Sequence, residues 1–308
     1  MKVLVTGGAG FIGSHIVDKL LQEKCQVVII DDLSTGSLAN VNPAAQFIEA
    51  DITSSNVLEV FIAEKFDYVI HMAAQTMVPK SLENPGFDCS VNVLGTINIL
   101  EACRHTGVKR LVFASTAATY GDVNHIPIDE LAATKPTSFY GLSKLVVEKY
   151  LALYAQIYGM EYVILRYANV YGERQGDAGE GGVISIFTRK IHQCQPVVIF
   201  GDGGQTRDFI YVGDVANANY QALLTAKVNA VYNISTQTET SVNTLIDLIG
   251  KVAGKSGEKV YSQPRDGDIY HSSLSNANAR QNLNWQPHML LVDGLTRTYR
   301  SLSKNINT

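Results

Sequence analysis

Cysteine is scarce in this sequence, and its few copies are scattered. The 308 residues include 4 cysteines with no close pair among them, namely Cys25, Cys89, Cys103 and Cys194. The 7 histidines are dispersed as well and form no His-x-x-x-His pair. This scatter argues against a disulfide framework and a cysteine-based zinc site, and it favours a reducing cytosol. We therefore predict a cytoplasmic protein without a metal.

Long hydrophobic runs and an excess of one charge are also missing. No apolar run approaches the roughly 20 residues of a membrane span. The first residues, MKVLVTGGAGFIG, lack the longer apolar stretch and the cleavage site of a secretory signal. Lys and Arg total 25 against 29 Asp and Glu, a net charge of −4. Without a basic excess, neither nucleic acid nor a membrane surface is predicted as a partner.

Short β-branched apolar runs alternate with segments of helical periodicity in the first half of the chain. Such alternation predicts βαβ units and a parallel sheet. Runs such as Val27–Ile30 are apolar throughout, which is typical of strands that are buried on both faces. The predicted strands are Lys2–Val5, Val27–Ile30, Gln46–Ile48, Tyr68–His71, Arg110–Phe113 and Tyr162–Arg166, and the predicted helices are Ser14–Glu23, Val57–Glu64, Val91–Thr106 and Tyr140–Tyr158. The fold class predicted is an α/β protein with a Rossmann-type, doubly wound parallel sheet.

The composition and the hydrophobic pattern of the sequence change after about Asn169. Arg174–Gly182 and Gly201–Gly204 are rich in glycine and charge, and are predicted as loop and turn. Predicted helices follow at Val215–Ala226, Val242–Ala253 and Leu291–Leu302. No Pro/Ser-rich spacer separates the two regions, so they are expected to pack together. We predict a nucleotide-binding domain (1–169, joined again by about 213–235) and a smaller C-terminal α/β substrate-binding domain (170–212 and 236–308).

A glycine-rich turn follows the first predicted strand. In TGGAGFIG (6–13), Gly7, Gly10 and Gly13 are spaced three apart, and Gly8, Gly10 and Gly13 satisfy G-x-G-x-x-G. Glycines at these positions permit a tight turn, the approach of a pyrophosphate and close helix–strand packing. The helix N-terminus then offers N–H groups to the phosphates. The turn therefore predicts a dinucleotide held by Gly7, Gly10, Phe11, Ile12 and Gly13.

Acidic residues follow the second and third strands. Asp31 lies 18 residues after Gly13, where an acid accepts hydrogen bonds from the adenosine ribose. Because a carboxylate there repels a 2′-phosphate, NAD is favoured over NADP as cofactor. Asp32 is expected to share this task, and Asp51 and Ile52 to reach the adenine edge.

A Tyr-x-x-x-Lys pair lies near the start of a predicted helix. Tyr140 and Lys144 are four apart, and therefore share one helix face. A phenol has a pKa of about 10, and a nearby lysine cation favours the phenolate. Thr116 follows the strand Arg110–Phe113, where its hydroxyl can orient a substrate alcohol. The three residues together predict proton transfer to or from an alcohol.

Further motifs extend over nearly the whole chain: TGGAGFIGSH (6–15), DDLSTG (31–36), HMAA (71–74), Asn92, YGLSK (140–144), LRYANVYG (165–172), FGDG (200–203) and TRDFIYV (206–212). In these motifs the chain resembles the extended short-chain dehydrogenase/reductases. Within that family it is most similar to the nucleotide-sugar 4-epimerases of the UDP-glucose 4-epimerase type.

The resemblance implies a role for each site residue. Tyr140 is the catalytic base, Lys144 holds the nicotinamide ribose, Thr116 matches the catalytic Ser/Thr, and Ser115 assists it. Ala73, Ala74, Asn92 and Tyr167 join the cofactor site. For the substrate, the resemblance implies Asn169 at the phosphate or sugar, Val183, Val198 and Phe200 at the uracil, Arg207 and Arg265 at the diphosphate, and Asp268 at the ribose.

The implied activity is that of an isomerase. The C4 hydride of a UDP-hexose moves to NAD, and the 4-keto sugar turns and takes it back on its other face. A 4,6-dehydratase or decarboxylase of this family carries an acid after the catalytic Ser/Thr, whereas Ala117 and Ala118 follow Thr116 here. A non-enzymatic NAD-binding regulator commonly lacks Tyr or Lys of the pair, and both are present.

Three further expectations concern substrate range and assembly. Hexose-restricted relatives carry a bulky aromatic residue four positions after the residue matched by Asp268, and here that position is Ser272. UDP-GlcNAc and UDP-GalNAc are therefore expected as substrates alongside UDP-glucose and UDP-galactose. UDP-uronic acid stays an alternative for which the sequence identifies no carboxylate-reading group. The helices Val91–Thr106 and Tyr140–Tyr158 resemble those with which the family forms a homodimeric four-helix contact.

Overall fold

A seven-stranded parallel sheet forms the centre of the computed structural model, which describes residues 1–123, 125–176, 182–264 and 269–306. The strands of the chain are β1 (Lys2–Thr6), β2 (Gln26–Asp31), β3 (Gln46–Glu49), β4 (Tyr68–His71), β5 (Arg110–Thr116), β6 (Glu161–Tyr167), β7 (Asn169–Tyr171), β8 (Val197–Phe200), β9 (Thr206–Tyr211), β10 (Ala230–Ile234), β11 (Glu239–Ser241) and β12 (Lys259–Ser262). The order in the large sheet is β10-β6-β5-β4-β1-β2-β3. Within it Val5 of β1 pairs with Ile29 on one side and Ile70 on the other.

Helices cover both faces of this sheet. They are α1 (Phe11–Gln22), α2 (Val57–Glu64), α3 (Val78–Glu83), α4 (Pro85–Cys89), α5 (Thr96–Thr106), α6 (Phe139–Tyr158), α7 (Val183–His192), α8 (Val212–Leu224), α9 (Val242–Ala253), α10 (Ala277–Asn282) and α11 (Leu291–Ile306). One core contains Ile16 and Leu20 of α1 with Val215 of α8. The opposite core contains Ile99 of α5 and Val147 of α6. The predicted Rossmann-type α/β fold is confirmed.

Several helix boundaries differ from the predictions, and two of the differences have a clear physical reason. The helix expected at Ser14–Glu23 begins at Phe11, because Gly10 is extended (φ −77°, ψ −179°) and acts as its N-cap. The glycine motif thus already contains the first helical turn. The helix expected at Val91–Thr106 is α-helical only from Thr96, since Ser90–Gly95 form a π-helix.

A second group of elements lies beyond β6. It comprises the three-stranded order β11-β9-β7 and the two-stranded order β12-β8. A third core, with Ile184, Ile199 and Leu245, holds α7, β8 and α9 together. The chain returns to the large sheet at β10, which pairs with β6. The division into two domains stays a prediction. No helix in the described part of the chain is long and apolar enough to cross a membrane.

Candidate active site

A cavity of 710 Å³ lies at the carboxyl ends of β1, β2, β4, β5 and β6, and residues around β7 and α7 also line it. This end of a doubly wound sheet is where such folds bind ligands. The predicted site residues in its wall are Gly7, Gly10, Phe11, Ile12, Gly13, Asp31, Asp32, Asp51, Ile52, Ala73, Ala74, Ser115, Thr116, Tyr140, Lys144, Tyr167, Asn169 and Val183. Residues scattered over the first 183 positions of the sequence thus meet at one site.

The glycine turn is built so tightly that side chains are excluded from it. Gly7 has φ +68°, and a Cβ there would lie 2.7 Å from the backbone nitrogen of Ala73. A Cβ on Gly13 would lie 2.1 Å from the carbonyl oxygen of Gly7. No side chain caps α1, whose N-cap is Gly10. The N-terminus of α1 and the backbone of the glycine turn therefore face the cavity without intervening side chains. Such an arrangement fits the pyrophosphate of NAD.

Asp31 is buried at the end of β2. Its carboxylate accepts hydrogen bonds from the backbone N–H groups of Ala9 and Leu33, both at 2.9 Å. Burial raises the pKa of Asp31, and these two hydrogen bonds oppose that shift. The neighbouring Asp32 is exposed and accepts from Ser34. Asp31 is thus oriented by one backbone N–H of the glycine turn and one that follows β2, as expected of a group that contacts a ribose.

This geometry predicts the cofactor preference of Asp31→Asn. We expect the wild-type protein to bind NAD more tightly than NADP, because a 2′-phosphate at this position would meet the carboxylate of Asp31. Removing the charge of Asp31 is expected to weaken NAD binding roughly tenfold, since a hydrogen bond to a charged group contributes about 1.5–3 kcal/mol. The affinity for NADP is expected to rise. Calorimetric titration of cofactor-free protein with both nucleotides measures the ratio. The control is Asp122→Asn, at an exposed position outside the cavity wall, and an unchanged ratio in Asp31→Asn contradicts the assignment.

Lys144 faces the sheet from the second turn of α6. The helix begins after Ser138, whose side-chain oxygen accepts from the N–H of Gly141 at 3.1 Å. The ammonium of Lys144 is buried and donates to the carbonyl oxygen of Ala114 at 3.0 Å. Burial lowers the pKa of Lys144 to about 8, against the opposing influence of Asp88. The cation is still the major form at pH 7.

Tyr140 and Thr116 lie in the wall of the same cavity. Tyr140, in the first turn of α6, is half-buried. Thr116 ends β5, and its side-chain oxygen accepts from the N–H of Ala118 at 3.1 Å. A phenol, an alcohol and a buried cation therefore line the same cavity as the glycine turn. The arrangement can move a proton to or from a bound alcohol.

Two predicted ligand-binding residues have protein partners in the structure. The side chain of Asn92 accepts from the N–H of Gln75 at 2.8 Å and donates to Asp88 and Ser143. The π-helix turns Asn92 inward, so this residue orders the wall rather than forming part of it. Ser115 is in the wall, but its hydroxyl donates to Glu148 at 2.6 Å.

The predicted substrate residues are brought together only in part. Asn169 and Val183 line the cavity, as does the predicted cofactor residue Tyr167, whose hydroxyl accepts from Asn219 at 2.9 Å. Arg207 donates to the carbonyl oxygens of Thr206 at 2.8 Å and Ile269 at 2.7 Å. Among the described residues, the wall does not include Val198, Phe200, Arg207 or Ser272. Arg265 and Asp268 lie outside the described residues.

Sequence reasoning missed several wall residues, and the longest continuous segment among them follows β4. Gln75, Thr76, Met77, Val78, Pro79 and Lys80 follow β4 and all line the cavity. Their position after the carboxyl end of a buried parallel strand was the available signal. Within the described residues, no group of three or more His, Cys, Asp or Glu side chains is arranged to hold a metal ion.

Comparison with known proteins agrees with this geometry. The NAD dependent epimerase/dehydratase family matches residues 3–235. A putative UDP-glucose 4-epimerase of Methanocaldococcus jannaschii is 50% identical over 307 residues, which cover 99% of this chain and 100% of that protein. The UDP-glucose 4-epimerase of Thermotoga maritima, solved with UDP-glucose, has a TM-score of 0.97 at 41% identity, covering 99% of this chain and 100% of its own.

Other solved structures extend the comparison to the cofactor and other sugars. The UDP-glucose 4-epimerase of Thermus thermophilus, in complex with NAD, has a TM-score of 0.93 at 40% identity, covering 98% and 99% of the two chains. A UDP-N-acetylglucosamine 4-epimerase from Methanobrevibacter ruminantium has a TM-score of 0.94 at 33% identity, covering 99% and 98%. A UDP-glucuronic acid 4-epimerase from Bacillus cereus has a TM-score of 0.91 at 31% identity, covering 99% of this chain and 100% of its own.

Proposed function

The chain belongs to the NAD-dependent epimerase/dehydratase family, and on that premise we propose that it interconverts the C4 epimers UDP-glucose and UDP-galactose. The observation that carries the proposal is the cavity shared by Tyr140, Lys144, Thr116 and the glycine turn. A cofactor site and a proton-transfer site within one cavity are what oxidation and reduction at an alcohol carbon need. NAD, when bound, takes a hydride from C4 and returns it.

Tyr140 acts as the proton acceptor and donor in this proposal. Its phenolate takes the proton of the sugar 4-hydroxyl, and Thr116 orients that hydroxyl by a hydrogen bond. The buried Lys144 cation lies one helical turn away and stabilises the phenolate. When the 4-keto sugar presents its other face, Tyr140 returns the proton to the oxygen. No net oxidation takes place.

The remaining task is to hold the UDP part while the hexose turns. We assign it to Asn169 and Val183 in the cavity wall, and to Val198, Phe200, Arg207, Arg265 and Asp268, as the family resemblance implies. Arginine suits a diphosphate because its planar group donates two parallel hydrogen bonds. Binding energy from the nucleotide then keeps the 4-keto sugar in place.

A dehydratase or decarboxylase is the second candidate from the same family. Elimination needs an acid/base group beside the catalytic hydroxyl. Ala117 and Ala118, in the 3₁₀ turn after Thr116, have no titratable side chain. This favours the epimerase.

The proposal is tested by incubating the purified protein with UDP-galactose and no added reductant. We expect UDP-glucose to form, and the same assay on UDP-GlcNAc and UDP-glucuronic acid defines the substrate class. Formation of a 4-keto-6-deoxy or decarboxylated product, or no conversion of any of these sugars by folded protein, contradicts the proposal.

We further propose, on the family resemblance, that the small side chain of Ser272 admits an N-acetyl group, although Ser272 is not part of the described cavity wall. Ser272→Tyr is expected to lower kcat/KM for UDP-GlcNAc roughly 100-fold, because overpacking costs about 1–3 kcal/mol. Activity on UDP-galactose is expected to change little. Ser272→Ala is the control that keeps the space open. Equal activity of Ser272→Tyr on both sugars overturns this part of the proposal.

An exposed apolar face supports a homodimer. Leu142, Leu153 and Ile157 of α6 and Leu94 before α5 are all exposed to solvent, and such a patch marks an association surface. We propose that α5 and α6 pair with the same helices of a second copy. Sedimentation is expected to show a dimer that Leu153→Glu dissociates. The control Leu131→Glu, at an exposed loop leucine, leaves it intact. A monomeric wild type rejects the proposal.

The free cysteines fit the cytoplasm as the compartment of this protein.

A further inference from the structure

A buried three-residue network lies directly beneath the proposed catalytic groups. Glu148 of α6 and Arg166 of β6 form an ion pair at 2.5 Å, and both side chains are 5% exposed. Oε1 of Glu148 also accepts from Nε of Arg166 at 2.9 Å and from the hydroxyl of Ser115 at 2.6 Å. The ring of Tyr120 stacks on the guanidinium, with its centroid 4.7 Å away. The activity proposed above does not use any of these groups.

Each member of this network adjoins a proposed site residue on its own element. Ser115 precedes Thr116 on β5, and Arg166 precedes Tyr167 on β6. The strands are in register, so that Ser115 pairs with Arg166 and Thr116 with Tyr167.

On α6 the same relation holds at helical spacing. Tyr140, Lys144 and Glu148 are four residues apart, which places them on one face of the helix. The ammonium of Lys144 binds the carbonyl oxygen of Ala114, and Glu148 binds the hydroxyl of the next residue, Ser115. The helix is therefore fastened to the end of β5 at two successive residues.

We propose that Ser115, Glu148 and Arg166 are positioning residues that fix Thr116, Tyr140 and Tyr167 relative to one another. The inference rests on the proposed epimerase function. The network is the point at which the three elements bearing those groups are joined by buried polar side chains. Catalytic geometry is sensitive to such joints, because a displacement of about 1 Å can lower a rate about 100-fold. Ser115 thus acts through Glu148 rather than on the substrate.

The same two strands provide a matched control. Arg110 of β5 and Glu161 of β6 also pair in register, with a nitrogen–oxygen distance of 2.7 Å. They lie at the amino ends of the two strands, whereas the cavity lies at the carboxyl ends. Arg110→Lys and Arg166→Lys make the same substitution in the same strand pair, although Glu161 is 43% exposed where Glu148 is 5% exposed, and Arg110 also donates to the carbonyl oxygens of Ala222 and Leu223. In both, the charge stays and the two-point hold of the guanidinium is lost.

The test compares wild type, Ser115→Ala, Arg166→Lys and Arg110→Lys. Ser115→Ala leaves the ion pair intact, so the fold is retained. We expect kcat for UDP-galactose to fall on the order of 10- to 100-fold in Ser115→Ala and Arg166→Lys. KM and bound NAD stay close to those of Arg110→Lys, which keeps wild-type kcat. Amide hydrogen exchange at residues 114–116 quickens in the first two variants only.

Two results overturn the inference. The first is a kcat for Arg166→Lys that equals the kcat of Arg110→Lys. Ser115 lines the cavity and Arg166 does not, so a loss of kcat in Ser115→Ala alone would mean that Ser115 contacts the substrate directly. The other is unchanged exchange at residues 114–116. An inactive wild type counts against the proposed function instead, and the exchange measurement then still decides whether the network orders β5.

Discussion

Tyr140→Phe is expected to lower kcat about 10²- to 10⁴-fold, the range that one general acid–base group contributes. The substitution removes only the hydroxyl, so the ring keeps its place in the first turn of α6. Lys144 stays bound to Ala114, and the glycine turn is untouched. Turnover of UDP-galactose, followed by separation of the two UDP-hexoses, measures the loss.

The control for this prediction is the neighbouring aromatic residue. Phe139→Leu alters an exposed side chain on the same turn that is not part of the cavity wall, and it is expected to keep activity. NAD content and unfolding temperature are expected to be alike in Tyr140→Phe, Phe139→Leu and wild type. Activity of Tyr140→Phe within about threefold of wild type contradicts the assignment of Tyr140 as the base, because it is far below the contribution of such a group.

Gly13→Ala is expected to weaken NAD binding by roughly 100-fold or more. The added Cβ would lie 2.1 Å from the carbonyl oxygen of Gly7 and 3.0 Å from Cα of Gly8. Both contacts are with backbone, which cannot move aside without opening the turn. Overpacking of this kind costs at least about 1–3 kcal/mol, and here it distorts the glycine turn that would hold the pyrophosphate. Calorimetric titration with NAD measures the affinity.

Gly176→Ala is the matched control, because a Cβ at Gly176 meets nothing within 4 Å. It is expected to bind NAD as wild type does. If Gly13→Ala retains wild-type NAD affinity, the pyrophosphate is not held at this turn. Circular dichroism of both variants separates loss of the cradle from loss of the fold.

The parts of the site that sequence predicted well are encoded by spacing within one element. Glycines three apart after a strand predicted the turn that excludes a Cβ at Gly7 and Gly13. Residues four apart predicted that Tyr140 and Lys144 share a helix face. The end of a buried parallel strand predicted the positions of Asp31 and Thr116. Such signals are local, and the parallel sheet then brings the strand ends to one edge.

The parts that sequence did not predict depend on packing between distant elements. Nothing in the residues around Ser115 indicates that its hydroxyl meets Glu148, 33 positions away. The inward turn of Asn92 depends on a π-helix, which has no periodicity signal of its own. The buried ammonium of Lys144 likewise reflects its tertiary contact with Ala114. These partners exist only once β4, β5 and α6 have assembled.

The most direct test of the account follows the hydrogen at C4 of the substrate. UDP-galactose labelled with deuterium at C4 is incubated with the purified protein in ordinary water, and the product is analysed by NMR and mass spectrometry. The account predicts UDP-glucose that keeps the deuterium at C4, because a hydride transferred to NAD and back does not exchange with water. UDP-glucose that has lost the label to solvent, or no UDP-glucose at all, would contradict it.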